Sequence, residues 1–172
     1  MIKTVHSRQY TVHSNKGFTL VEMLLYLALF AGFLLVLTDI FVASLDVELE
    51  STAASSVAND GQYILTRLMY DAGQAQDITQ PLSLGQQTST LILVLGGQSY
   101  TYAVSNGTLA LTNNVGTSTL NNYGTTVSGF TAKKIGNVGG KPTVQVQFIL
   151  TSTTTRSFGP EIETFNTTLG VR

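Results

Sequence analysis

The chain has 172 residues, enough for one domain with an appendage, and ten acids against nine bases leave a formal net charge of −1. It contains no cysteine, and its two histidines, His6 and His13, both precede Lys16. That supply argues against Cys/His and Ser-His-Asp nucleophiles and the usual zinc ligand sets, leaving carboxylates, lysines, tyrosines and hydroxyls for any chemistry.

Residues 1–17 carry Lys3, Arg8 and Lys16, no acid and no hydrophobic run. A secretory signal places its apolar run before the cut, and here the basic part would be removed while the apolar part stays. The segment from Met23 to Leu37 has no charge and no proline. With its flanks it makes a membrane segment over 18–43, since a spanning helix needs about 20 mostly apolar residues. The flanks orient it: the basic end stays cytoplasmic, and Asp39, Asp46, Glu48 and Glu50 lie towards the outside. Glu22 sits at the lip of this segment. An acid at a membrane helix centre costs about 2.5–3.5 kcal/mol, so an acid near it needs either a partner or a headgroup environment.

Gly17-Phe18-Thr19-Leu20-Val21-Glu22, preceded by Lys16 and followed by the apolar run, resembles the processing site of type IV prepilins and pseudopilins. The resemblance implies that a prepilin peptidase and methyltransferase cuts after Gly17 and N-methylates Phe18. It implies that Glu22 sets subunit registration by meeting the new amino terminus of a neighbour. Residues 1–17 would then be a removed leader, and the remainder would hold six bases and ten acids, a side-chain net of −4. Such an acidic product offers little to a phosphate backbone. Lys133-Lys134 is its only adjacent basic pair and reads as solvated surface.

The next segment, 44–77, continues the helix towards a head. Ala54, Val57, Gly61, Ile64, Leu68, Ala72 and Ala75 recur at steps of three and four, widened by Leu65 and Met69. That is an amphipathic stripe able to cover a core, with Gln62, Thr66, Arg67 and Asp71 largely off it. Gly73, Asp77 and Pro81 announce its end.

Residues 78–172 change to strands and turns. Thr90–Leu95 is a continuous apolar run suited to a buried strand, broken by Gly96-Gly97. Tyr100, Tyr102 and Val104 alternate with polar residues, Asn106-Gly107 supplies a hairpin turn, and Leu109 and Leu111 resume the alternation. The stretch 112–126, rich in Asn, Gly, Thr and Ser, reads as loop. A short strand is expected over 127–135 and a turn over 136–142. Val144, Val146, Phe148 and Leu150 mark the clearest half-buried strand, and Phe165, Thr167, Leu169 and Val171 mark a last one ending at Arg172. The expected fold class is α+β, a long N-terminal helix packed on an antiparallel sheet head. This order of elements resembles the minor pilins and the J-type minor pseudopilins of type II secretion systems.

Glu161 and Glu163 lie two apart near Pro160, and nothing orients them as an acid/base pair. Asp60, Asp71 and Asp77 lack EF-hand spacing, and Gly139-Gly140-Lys141 lacks the rest of a phosphate loop. No catalytic residue, metal ligand or cofactor is expected. The function that the resemblance implies is structural: a subunit of a type IV pilus, a secretion pseudopilus or a DNA-uptake (competence) filament. Its expected partners are the peptidase, other pilin or pseudopilin subunits, the inner-membrane assembly platform, and membrane lipid before assembly. Its expected place is the inner membrane as a single-pass protein with the head outside, then a surface or periplasmic filament. The alternative is a single-pass anchored extracytoplasmic binding or adhesion module that never polymerises.

Overall fold

The computed structural model describes residues 17–156 and 158–171; the leader expected over 1–17 falls outside them but for Gly17, as do Ser157 and Arg172. One helix, α1 (Leu20–Gln74), runs through the apolar segment and the amphipathic one. All three prolines, Pro81, Pro142 and Pro160, fall beyond it, so no missing amide interrupts the ladder. Packing divides the chain into two units, Met1–Ala43 and Ser44–Arg172.

In the first unit, every described residue except Glu22 is exposed. The first part of α1 is therefore hydrophobic all round with no other described residue of the chain covering it. Such a surface is far larger than the scattered apolar side chains normal on a water-soluble domain. The helix is long and apolar enough to cross a membrane.

The second unit is built on the rest of α1, with nine strands in two antiparallel sheets. The strands are β1 (Asp77–Gln80), β2 (Gln87–Thr88), β3 (Thr90–Leu95), β4 (Gln98–Ser105), β5 (Thr108–Thr112), β6 (Thr117–Thr119), β7 (Thr125–Ile135), β8 (Thr143–Ser152) and β9 (Ile162–Gly170). The first sheet has the order β1-β3-β4-β5-β6 and the second β2-β7-β8-β9. The architecture is α+β, as the order of patterns indicates, with two sheets where a single one was expected.

The helix stripe is Ala53, Val57, Gly61, Ile64, Leu68 and Ala72, all buried. It meets Leu91 and Leu93 of β3, Tyr102 of β4, Leu109 and Leu111 of β5, and the inward row Val144, Val146, Phe148 and Leu150 of β8 in one apolar core. Two expected stripe members stand outside it: Ala54 is exposed and Ala53 takes its place, and Met69 is half exposed. One residue assigned to the polar side, Asp71, is buried. β3 is not buried throughout; Leu91 and Leu93 face the core, while Ile92 and Val94 are half-buried between them.

Hairpin geometry follows the turn residues. Asn106 and Gly107 have φ of 51° and 76°, the left-handed pair that a two-residue turn between β4 and β5 demands. The stretch expected to be loop over 112–126 contains β6 and the start of β7. β6 is exposed along its whole length and is held only by pairing with β5, so it leaves no apolar alternation to read. In β7 the inward residues are Val127, then Phe130 and Ala132. A bulge between Ser128 and Thr131, with Gly129 at φ 59°, shifts their parity.

Candidate functional site

The sequence motif lies at the start of α1. Thr19 is the N-cap: its Oγ1 accepts the Glu22 amide at 3.2 Å, and its carbonyl accepts the Met23 amide at 3.1 Å. Thr19-x-x-Glu22 is the capping-box pattern, so the four residues that end the Gly17–Glu22 string also begin the helix. The helix start is thus signalled locally in the sequence. Here the Glu22 carboxylate does not reach back to close the box; its Oε1 accepts the Tyr26 hydroxyl, one turn on, at 3.3 Å. Tyr26 also meets Phe18 edge to face, with ring centroids 6.3 Å apart and planes at 80°. Phe18, Glu22 and Tyr26 thus form a small cluster around an acid at the positive end of a helix, where a carboxylate is favoured. Glu22 makes no ion pair with any described residue.

Gly17 has an ordinary backbone conformation, and a Cβ built on it meets nothing within 4 Å. Packing among the described residues does not require glycine there.

The remaining polar clusters belong to the second unit. The buried carboxylate of Asp71, 1% exposed, accepts the Arg67 Nε–H at 2.9 Å and the Tyr102 hydroxyl. Burial, and then the bond to Asp71, push the Tyr102 phenol well above its ordinary range. Partial burial works against the Arg67 guanidinium, but the bond and charge of Asp71 outweigh it and hold Arg67 above its usual value. Asp60 Oδ2 accepts the Asn122 amide at 2.9 Å and the Thr125 hydroxyl, tying the helix to the β6–β7 connection. Lys134 donates to the carbonyls of Ile78 and Leu82 at 3.3 and 3.1 Å, while Lys133 is exposed. Glu161 pairs with Arg156 Nη2 at 2.8 Å, and Glu163 stands exposed on β9. These contacts clamp helix to strands and strands to loops. Sequence reasoning missed Asp71, because an acid at i+4 from an arginine usually signals a solvated pair; its second partner, Tyr102, comes from a strand thirty-one positions away.

Comparison with known proteins gives no match to a family model, a curated protein or a solved structure.

Proposed function

We propose that the chain is a structural subunit of a type IV filament, a minor pilin or a pseudopilin of a secretion or DNA-uptake machine. Prepilin peptidase would cut between Gly17 and Phe18, and the subunit would wait as a single-pass membrane protein with its Ser44–Arg172 unit outside. Assembly would then exchange lipid around α1 for the helices of other subunits.

The observation that carries the reading is the position of Glu22. It is an acid on an apolar helix surface that no part of the described chain covers, and no described cation pairs with it. A carboxylate entering a packed helix bundle requires a positive partner, and a freshly cut amino terminus at Phe18 of a neighbour supplies one. Gly17 adds a second support. A glycine that packing among the described residues does not need, next to a helix start, suits a peptidase that must bind extended backbone closely.

The test is the amino terminus of the protein extracted from its native membrane. Mass spectrometry should find a chain beginning at N-methylated Phe18. A chain that still carries residues 1–17 would overturn the filament reading and leave an anchored extracytoplasmic binding or adhesion module.

A further inference from the structure

We infer that the cleft between the β4–β5 turn and the β6–β7 connection binds a neutral carbohydrate. The inference rests on the Ser44–Arg172 unit alone and not on the filament reading. The cleft has a volume of about 390 Å³, within the range of small-ligand sites. Its walls are Asn106, Thr108, Thr119, Asn122, Tyr123 and Thr126, with no charged side chain among the lining residues. The Asp60 carboxylate, which is not among the lining residues, is engaged by the Asn122 amide and the Thr125 hydroxyl. An anionic or cationic ligand would therefore enter without a counter-charge, and a neutral one meets no such cost.

The groups offered match a polyol. The side chains of Asn106, Thr108 and Thr119 make no hydrogen bond to any described residue, so amide and hydroxyl donors and acceptors stand ready in the walls. Tyr123 is 94% exposed, a ring with both faces open to solvent. Its backbone is nonetheless pinned: its amide donates to Asn122 Oδ1 at 2.7 Å, and its carbonyl accepts the Thr153 hydroxyl at 3.2 Å. An exposed aromatic plane on a fixed backbone beside amides and hydroxyls is suited to stacking on the C–H face of a sugar ring while its hydroxyls are read.

The floor is preorganised. Buried Asn121 accepts the Leu109 amide at 2.8 Å and donates to the Thr125 carbonyl at 2.8 Å and the Gly107 carbonyl at 3.3 Å. One side chain thus joins the turn, β5 and β7, and holds the cleft's width. The large apolar side chains nearby, Leu109, Leu120 and Val127, are spent in the core.

The test is an NMR titration of the full chain in a zwitterionic detergent with no sugar headgroup. The probes are cellobiose, maltose and lactose in the millimolar range expected of a single open subsite. At least one should move the amides of Asn106, Gly107, Asn122 and Tyr123 as a saturable set, and Tyr123→Ala should weaken it about tenfold or more. Thr119→Val, a change on the exposed strand β6, should weaken binding without altering thermal unfolding. Comparing the free disaccharide with vesicles bearing digalactosyl diacylglycerol separates a soluble glycan from a lipid-borne one. Three results would each overturn the proposal: no shifts with any neutral sugar, shifts unchanged in Tyr123→Ala, or a response only to galacturonate or to a Thr/Ser peptide.

Discussion

The ring of Phe165 occupies the space that a side chain on Gly61 would need. A Cβ built on Gly61 falls 2.1 Å from Phe165 Cζ, 2.3 Å from Cε1 and 2.7 Å from Cε2. Phe165 lies on β9 and stacks on Phe148 of β8, with centroids 5.2 Å apart and planes at 13°. The helix glycine is therefore a socket through which α1 receives the outer strand of the second sheet. In an exposed helix interior, Gly→Ala gains about 1 kcal/mol. At Gly61 the ring cannot swing aside without breaking its stack, and overpacking of this kind costs about 1–3 kcal/mol. Gly61→Ala should lower the stability of the Ser44–Arg172 unit, and adding Phe165→Leu should recover part of the loss. Chemical denaturation of the single and double variants measures this; a Gly61→Ala protein more stable than its parent would contradict the socket.

Tyr102 and Asp71 give a pH signature. Because the Tyr102 phenol titrates above its ordinary value of 10.0 in the folded chain, the native state keeps that proton where the unfolded chain loses it. The contribution is complete below pH 10 and is lost as pH rises further, at a limiting slope of about 1.4 kcal/mol per pH unit for one proton. Arg67, also raised, stays charged throughout. Tyr102→Phe should cost about 1–3 kcal/mol at neutral pH by removing a buried bond to a carboxylate. Its deficit should narrow as urea midpoints are followed to about pH 11. Parallel curves for the two proteins would exclude the buried phenol as the source.

Most of the fold could be read from patterns of apolar residues, and the exceptions have specific causes. Val144, Val146, Phe148 and Leu150 predict β8 because one face is core and the other is not. Asn106-Gly107 predicts its hairpin because few other pairs adopt left-handed φ at both positions. β6 was invisible because an edge strand with both faces in water carries no alternation. The bulge in β7 defeats parity, and Asp71 defeats polarity, since each is decided by a partner distant in sequence. At the helix start, the motif residues Gly17, Phe18 and Glu22 were legible. The Tyr26 hydroxyl on Glu22 follows from their i, i+4 spacing on the helix.

Thr19 separates capping from processing. Thr19→Ala removes the side-chain acceptor of the Glu22 amide and should cost the first turn about 1 kcal/mol. Hydrogen exchange at Val21, Glu22 and Met23 should accelerate, with no change in the Ser44–Arg172 unit. Thr19→Ser keeps the acceptor and should leave exchange as in the parent. Equal exchange in the Ala and Ser variants would show that the hydroxyl does not hold the turn.

Glu22 itself has two partners to be told apart, the Tyr26 hydroxyl within the chain and the amine proposed from a neighbour. Tyr26→Phe deletes the first and leaves the second, so it should assemble nearly normally. Glu22→Ala deletes both. It should still be cut after Gly17, because the scissile bond lies outside the helix. It should then assemble poorly, since removing one member of a buried ion pair strands the other at a cost of about 3–5 kcal/mol. Glu22→Gln keeps size and hydrogen bonding while losing charge, and should assemble no better than Glu22→Ala if charge is what matters. The head should melt at the same temperature in all three, because Glu22 touches nothing beyond its own first turns. The assay is the fraction of processed subunit recovered in sheared or pelleted filaments from membranes of cells expressing each variant. Parent-like incorporation of Glu22→Gln would show that a hydrogen bond suffices and that no amine is met.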